Sequence, residues 1–384
     1  MVAETLGAVG TVDVCVVNTW RPPDLELDWP EWVGDAEWCR VEQPPGWPAT
    51  MLLGRDAPVR YSLVPPDALR AARARFFSNR YDLTWCAEAH AYEPVAAFLS
   101  PPVVFDLHNV FSAVLEHKRR LLLRRPWLAA SWRDGLDDAE YVPGIERRWR
   151  EWEATAVARC DRVVVCSELD RDRLGGRAVV VPNCYPRPAE PAGRARDGSA
   201  PLRIGFVGLL DYQANLDGVL WFAREVLPRI RALEPRAEFE SIGRATGKVA
   251  RRLRRHGVTL PGFVPELERQ LADVSVLVAP LRFGGGTRFK VLEAFAHEIP
   301  IVATTIGVEG IPARDGEHLL IRDDAQAFAR AVVALHRDPA LRARVVGAAA
   351  RLYEQRYTWE HGVAAVEREV ESLTRSAAGA AAAT

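Results

Sequence analysis

The sequence predicts an α/β protein with two doubly wound parallel sheets, one in each half of the chain. Short, unbroken apolar runs alternate with longer segments of helical periodicity, and continuous hydrophobicity is typical of strands covered on both faces. The length of 384 residues suits two domains of ordinary size. Ten of the twelve tryptophans lie between Trp20 and Trp152, so the two halves also differ in composition. These observations favour two Rossmann-like domains that face each other across a cleft.

The first half contains four apolar runs that we predict as strands, at residues 12–17, 83–86, 103–105 and 162–166. Residues 2–9 resemble the last turns of a helix, and the first of these runs resembles the strand that follows such a helix. The first strand of a doubly wound sheet is usually central. The sequence therefore predicts a first domain that lacks its opening strand: either the start codon lies upstream of Met1, or this domain is built from a different set of strands.

The second half alternates strands and helices more regularly. We predict strands at 202–207, 239–242, 274–279 and 301–303, and helices at 218–233, 248–255, 288–296 and 325–336. Residues 187–200 are rich in proline, glycine and charge, as linkers usually are. The predicted domains are therefore 1–186 and 201–375, joined by the linker 187–200 and followed by a flexible, alanine-rich tail at 376–384.

Composition and charge exclude several classes of protein. Fifty basic and 51 acidic side chains leave a net charge of −1, so no global field attracts nucleic acid, and we predict no nucleic-acid partner. No apolar run reaches the roughly eighteen residues of a membrane span, and the N-terminus lacks the features of a secretory signal. The six cysteines form no C-x-x-C pair. We therefore predict a cytoplasmic protein with reduced thiols.

The most informative stretch is a glycine-rich loop that follows a predicted buried strand. It reads Gly284-Gly285-Gly286-Thr287 and leads into a predicted helix. Such a loop allows backbone N–H groups to approach a phosphate, and the start of a helix favours negative charge. Arg288 and Lys290 lie in the first turn, where cations are disfavoured unless an anion compensates them. Lys290 and Glu293 are three residues apart and share one helical face. The pattern predicts an anion site; the alternative is a surface loop beside an ordinary salt-bridged helix.

Two familiar phosphate-binding signatures are incomplete in this sequence. The stretch from Gly243 to Val249 is one residue short of a P-loop and ends in valine instead of serine or threonine. The stretch from Gly205 to Gly208 lacks the second glycine of a dinucleotide fingerprint. Readings as a P-loop NTPase or a classical dehydrogenase therefore lose their main support.

The second half resembles the nucleotide-sugar domain of GT-B glycosyltransferases, specifically the retaining family 4. The resemblance covers nearly all of residues 202–373. It includes the stretches 205–208, 211–215, 262–264 and 300–304, the glycine-rich loop and Glu309-Gly310. In the first half it is thinner and depends on the stretches 105–109, 160–167 and 181–183. The resemblance implies transfer of a hexosyl-type sugar from a nucleoside diphosphate sugar to an acceptor, with the donor bound by the second domain and the acceptor by the first.

The resemblance also implies roles for individual residues. Glu293 matches the carboxylate that accepts hydrogen bonds from ribose hydroxyls. Arg288 and Lys290 match the basic groups that hold the donor diphosphate, and His108 matches a histidine that lies against the transferred sugar. We therefore expect His108, Lys290 and Arg288 to be catalytic. The expected donor-binding residues are Gly208, Gly243, Phe263, Val264, Gly284, Gly285, Gly286, Thr287 and Glu293.

Two positions depart from the family pattern. Gly285 stands where the family often has a second glutamate, so contacts to the donor sugar would come from backbone amides or from elsewhere. Glu298 stands where a glycine normally ends the helix. Asp106 and His108 could form half of a metal site, but no further ligand clusters with them in the sequence. We therefore expect no metal and no cofactor besides the nucleoside diphosphate sugar as co-substrate, and retention by attack on the face from which the diphosphate leaves.

Several alternatives remain open at this stage. The stretch 114–127 is basic and apolar without cleanly separated faces, which favours a solvated helix on the acceptor side over peripheral contact with the inner face of the membrane. The acceptor could be a small molecule, a glycan or a lipid-linked sugar. Two other functions share the architecture: a nucleotide-sugar 2-epimerase, and a non-catalytic nucleotide-sugar-binding protein.

Overall fold

The computed structural model describes residues 2–18, 33–40, 81–89, 95–125, 144–193 and 201–382, together with the single residues 74, 76, 79 and 92. Residues 194–200 of the predicted linker and residues 126 and 127 of the basic stretch lie outside the described residues. No helix in the described part of the chain is long and apolar enough to cross a membrane.

The strands include every apolar run that the sequence analysis assigned to a strand. They are β1 (Val12–Asn18), β2 (Val33–Arg40), β3 (Thr84–Ala87), β4 (Val103–Asp106), β5 (Arg162–Val165), β6 (Val179–Val180), β7 (Arg203–Val207), β8 (Glu238–Ile242), β9 (Thr259–Gly262), β10 (Val276–Ala279), β11 (Ile301–Ala303) and β12 (Leu320–Ile321). Two of the strands that the prediction missed, β6 and β12, have only two residues each, too few to produce a hydrophobic pattern.

The helices are α1 (Val2–Val9), α2 (Phe111–Arg124), α3 (Ile145–Arg159), α4 (Glu168–Arg173), α5 (Gln213–Trp221), α6 (Leu227–Leu233), α7 (Gly247–Arg254), α8 (Leu267–Leu271), α9 (Phe289–Ala296), α10 (Ala325–Arg337), α11 (Pro339–Arg356) and α12 (Trp359–Ala382). A π-helical turn, Phe222–Val226, joins α5 to α6, so the helix predicted at 218–233 is continuous with a bulge in the middle.

The described residues form two compact units. The first combines Met1–Leu115, Ala139–Pro182 and Glu360–Thr384, and the second combines Glu116–Asp138 and Asn183–Trp359. These units differ from the predicted domains in two respects: the part of α2 from Glu116 onward belongs to the second unit, and the last helix returns to the first unit. It does so by burying Val366 and Leu373 against Val104 and Val164. Helix α12 also continues to Ala382, where the sequence predicted a flexible tail from residue 376, since alanine is the best helix former.

The described residues of the first unit form two parallel sheets. Four strands pair in the order β3-β4-β5-β6, and β1 pairs with β2 in a separate two-stranded sheet. The strand predicted at 12–17 is thus present, with β2 as its partner among the described residues. Helices α2 and α3 contribute Leu115 and Trp149 to the core against Phe105 of β4.

In the part of the second unit that the structure describes, six strands form one parallel sheet in the order β12-β11-β10-β7-β8-β9. Its central strands are buried, with Phe206 and Val278 facing one apolar cluster and Leu277 facing another. Helices cover both faces, which explains the unbroken hydrophobicity of these strands in the sequence. This confirms the doubly wound sheet predicted for the second half.

Candidate functional site

The position of a ligand site in the second unit follows from the topology of its sheet. From β7 the chain proceeds to β8 and β9 on one side, and it later returns to build β10, β11 and β12 on the other side. In open parallel sheets, ligands bind at the carboxyl ends of the strands where the winding reverses. The candidate site therefore lies where β7 ends at Val207 and β10 ends at Ala279.

Two glycines line this edge of the sheet. Gly208 follows β7 with a φ of 155°, and Gly243 follows β8 with a φ of 140°. A Cβ atom on Gly243 would lie 2.2 Å from the carbonyl oxygen of Gly208. The Gly208 N–H also donates to the carbonyl of Ile242 over 2.9 Å. The backbones of the β7 and β8 ends are in direct contact here, so there is no room for a side chain on Gly243. The structure thus brings together two of the predicted donor-binding residues.

The glycine-rich loop connects β10 to α9 beside these strand ends. Gly284 and Gly286 have φ values of 142° and 66°, which favour glycine. Gly285 and Gly286 are half-buried, and among the described residues their N–H groups donate to no protein acceptor. Thr287 is buried, and α9 begins at Phe289. The loop therefore presents backbone donors at the start of a helix, the arrangement that favours an anion.

The Arg288 side chain holds this loop in place. It is 5% exposed. Its Nε donates to the carbonyl of Ile306 over 3.0 Å, and its Nη1 donates to the carbonyls of Gly285 and Gly286. Its Nη2 lies 3.6 Å from a carboxylate oxygen of Glu309. The guanidinium thus ties the glycine loop to residues 306–309, and the predicted contact of Arg288 with a diphosphate stays a prediction.

Lys290 lies beside β7, at the switch point of the sheet, which is the place where its winding reverses. Its Nζ donates to Oδ1 of Asn215 over 3.0 Å and lies 4.7 Å from the centre of the Phe206 ring on β7. Asn215 is held in turn by donating to the carbonyl of Leu209 over 2.8 Å. Burial and the neighbouring Arg288 lower the pKa of Lys290 to about 7, against the opposing attraction of Glu293. Lys290 therefore changes charge close to neutral pH.

Glu293 lies one turn further along α9 and is 7% exposed. One of its carboxylate oxygens accepts a hydrogen bond from the hydroxyl of Tyr185 over 3.1 Å. Burial raises the pKa of Glu293 to about 7, although the hydrogen bond from Tyr185 and the charge of Lys290 both lower it. Lys290 and Glu293 thus lie three residues apart on the same helix, as the sequence predicted. The pKa of each side chain is shifted to about 7.

Phe263 and Val264 follow β9 at the same edge of the sheet. The Gly243 N–H donates to the carbonyl of Gly262 over 2.9 Å, which joins the end of β9 to the end of β8. The Phe263 side chain is 79% exposed, whereas Val264 packs against the core. Phe263 can therefore offer an aromatic face to a ligand, whereas the Val264 side chain is partly covered by the core.

Sequence reasoning did not identify His117 and Glu309 as residues that support the glycine-rich loop. His117 places Nδ1 3.3 Å from the carbonyl oxygen of Gly284 and Nε2 3.7 Å from a carboxylate oxygen of Glu309. Both ring nitrogens therefore face acceptors. The only signals were Glu309 within a family motif and His117 within the basic stretch, and neither indicated a contact between distant parts of the chain.

The basic stretch differs from the prediction at one position. Lys118 is 2% exposed and donates to Oε1 of Gln213 over 2.6 Å. The expectation of a solvated basic helix is therefore wrong at Lys118, whose Nζ also lies 5.9 Å from the centre of the Phe283 ring. The neighbouring Leu121 and Leu122 pack against the core of the second unit.

His108 lies in the first unit, just after β4. Its Nδ1 is 3.6 Å from a carboxylate oxygen of Asp106, which is buried and accepts a hydrogen bond from the Trp85 indole over 3.0 Å. Glu88 follows β3 with a φ of 70°, a costly conformation for a non-glycine residue. Burial raises the pKa of both carboxyl groups, and the charge of His108 opposes that shift. The first unit thus holds an acid–base cluster of which the sequence analysis had named two members.

Comparison with known proteins finds a family similarity for part of the second unit. Residues 201–338 match the family model described as Glycosyl transferases group 1. An uncharacterized 44.6 kDa protein of the cps region of Klebsiella pneumoniae is 27% identical over 138 residues, which cover 33% of this chain and 35% of that protein. The chain thus matches about a third of the length of this curated relative.

Solved structures extend the similarity to the whole chain. Sucrose-phosphate synthase from Thermosynechococcus elongatus has a TM-score of 0.70 at 15% identity, covering 98% of this chain and 92% of that chain. Anabaena HepE, solved in complex with UDP and glucose, has a TM-score of 0.58 at 14% identity, covering 88% and 86%. Both structures are similar to this chain in fold. Residues 201–338 therefore match the group 1 glycosyltransferase family model, and the chain as a whole has the GT-B fold.

Proposed function

We propose that this chain is a retaining glycosyltransferase of family 4 that moves a sugar from a nucleoside diphosphate sugar to an acceptor. The observation that carries the proposal is the position of Lys290 and Glu293 on one face of α9, beside the glycine loop and at the switch point of the sheet. A cation and a carboxylate so placed suit the two parts of a nucleoside diphosphate: the diphosphate is an anion, and the ribose hydroxyls donate hydrogen bonds.

The proposed site supplies positive charge for a reaction that develops negative charge. When the bond between the anomeric carbon and the diphosphate oxygen breaks, the electron pair stays on the diphosphate. The Lys290 ammonium and the N–H groups of Gly285 and Gly286 stabilise that charge. The acceptor hydroxyl attacks the same face of the sugar, and its proton passes to the departing diphosphate oxygen. The configuration is retained, and the mechanism needs no metal ion and no further cofactor.

The proposal extends to the nucleotide of the donor and to the unit that binds the acceptor. UDP is the first nucleoside diphosphate to test, because the similar structure of HepE was solved with it. We assign the acceptor to the first unit, which contains His108. A lipid-linked acceptor would call for peripheral membrane contact; Leu123, which is 70% exposed on the part of α2 that belongs to the second unit, is one apolar side chain available for it.

Product analysis tests the proposal directly. The protein is incubated with a panel of UDP-, GDP- and ADP-sugars and a mixture of candidate acceptors, and the products are resolved by mass spectrometry and by NMR of the anomeric proton. We expect released nucleoside diphosphate and a new glycoside of unchanged anomeric configuration, with EDTA leaving the rate intact. An inverted product would refute retention, and loss of activity in EDTA that added Mg²⁺ or Mn²⁺ restores would refute the metal-free mechanism.

A nucleotide-sugar 2-epimerase is the second candidate, and the acid–base cluster of the first unit favours it. An epimerase must remove and return a proton on the sugar, for which Glu88, Asp106 and His108 supply groups of the right kind. The same experiment separates the two functions. An altered free nucleotide sugar without any acceptor indicates the epimerase, and binding without turnover indicates a binding protein.

A further inference from the structure

The hydroxyl of Tyr185 contacts the carboxylate on which the proposed donor site depends. It lies 3.1 Å from Oε1 of Glu293. Burial raises the pKa of Tyr185 well above its ordinary value, and the nearby Glu293 carboxylate raises it further. Tyr185 therefore stays protonated at any working pH, so the phenol is the donor and the carboxylate is the acceptor.

The rest of the structure fixes Tyr185 in this position. Its N–H donates to the carbonyl of Tyr357 over 2.9 Å, and its own carbonyl accepts a hydrogen bond from the Tyr353 hydroxyl over 2.9 Å. The buried His297 packs against the Tyr185 ring, with the ring centres 5.9 Å apart in an edge-on arrangement. The phenol is thus held from its backbone and from one side of its ring, which leaves the hydroxyl aimed at Glu293.

We propose that Tyr185 is a positioning residue for donor binding: its hydroxyl donates to Glu293 and favours the ionised carboxylate, which can then accept a hydrogen bond from a ribose hydroxyl. This inference rests on the proposed function. A carboxylate has room for about four hydrogen bonds. The bond from Tyr185 therefore occupies one site on Oε1 and leaves Oε2 for the nucleotide.

Three groups act on the charge of Glu293. Tyr185 from the segment after β6 and Lys290 from the same helix stabilise the carboxylate, whereas Glu268 from α8 opposes it. Burial also opposes the charge, outweighs the effects of Tyr185 and Lys290, and brings the pKa of Glu293 to about 7. Loss of the Tyr185 hydroxyl should raise this pKa further. The effect on nucleotide affinity should then be large where Glu293 is partly protonated and should vanish where it is fully ionised.

The experiment compares wild type with Tyr185→Phe by titration calorimetry at pH 6.5 and pH 9. The probe is whichever of UDP, GDP and ADP the wild type binds most tightly. If the substitution raises the pKa of Glu293 by about one unit, the affinity should fall about eightfold at pH 6.5 and be nearly unchanged at pH 9. The ratio of the two affinities at each pH is the measured quantity, because the titration of Lys290 affects both proteins and cancels.

Tyr353→Phe is the matched control. It removes a phenol hydroxyl that fixes the same segment through the carbonyl of Tyr185 and has no hydrogen bond to Glu293. Any loss of affinity in this variant should be the same at both pH values. A Tyr185→Phe effect that is absent, or equal at both pH values, would overturn the inference while leaving the proposed function intact. A wild-type protein that binds none of the three diphosphates would overturn both.

Discussion

Replacement of Glu293 by glutamine should make the protein more stable and the nucleotide site weaker. The glutamine keeps an acceptor for the Tyr185 hydroxyl and nearly the same volume, so the change removes little besides the charge. The pKa of Glu293 rises from 4.5 to about 7 in the folded chain. At about 1.36 kcal/mol per pKa unit, the ionised carboxylate costs the folded state about 3 kcal/mol.

The sign of this effect depends on pH. Because the folded-state pKa lies above that of the unfolded chain, the folded state binds more protons between about pH 4.5 and 7, and the stability contributed by this group falls as the pH rises through that range. We therefore expect Glu293→Gln to raise the free energy of unfolding by about 3 kcal/mol at pH 8 and by less than about 1 kcal/mol at pH 5. Lys290 is itself mostly neutral at pH 8, so the loss of its attraction to Glu293 offsets little of the gain.

Two measurements on the same variant test this reasoning. Urea unfolding at pH 5 and pH 8 gives the difference in stability. Calorimetry with UDP at pH 8 should show an affinity about 10- to 150-fold lower, since a hydrogen bond to a charged group contributes about 1.5–3 kcal/mol. A variant that is less stable than wild type at pH 8 would refute the premise that the buried, ionised Glu293 destabilises the folded state. Unchanged affinity in a folded variant would remove Glu293 from the nucleotide site.

Two further predictions concern other parts of the site. Lys290→Ala should lower kcat more than it raises KM, because the Lys290 charge acts chiefly on the departing diphosphate; a higher KM at unchanged kcat would show that Lys290 only binds. Gly243→Ala should destabilise the fold by about 1–3 kcal/mol, since the new Cβ would overlap the carbonyl oxygen of Gly208, 2.2 Å away. Its matched control is Gly247→Ala, where no atom lies within 4 Å of a new Cβ, and this variant should unfold at the same urea concentration as wild type or a higher one. Equal midpoints for the two alanine variants would contradict the assignment of Gly243.

The sequence was most informative where the chemistry is local. Lys290 and Glu293 share a helical face because they are three residues apart, and the glycine loop precedes that helix in any fold that keeps the strand before it. Arg288 shows the limit of such reasoning. Its place in the loop was predictable, but the direction of its side chain was not, because Ile306 and Glu309 come from a different part of the chain.

The sequence by itself determined the alternation of strands and helices, the doubly wound character of the second half and the helix that carries Lys290 and Glu293, because each of these depends on hydrophobic period or short spacing. Only the tertiary structure decided that His117 and Glu309 support the glycine loop, that Tyr185 donates to Glu293 and that the last helix packs on the first unit. His117 and Gly284 are 167 positions apart in the sequence, and Tyr185 and Glu293 are 108 positions apart. No local pattern encodes such a contact, because it forms only when the packing of the whole core brings the two segments together.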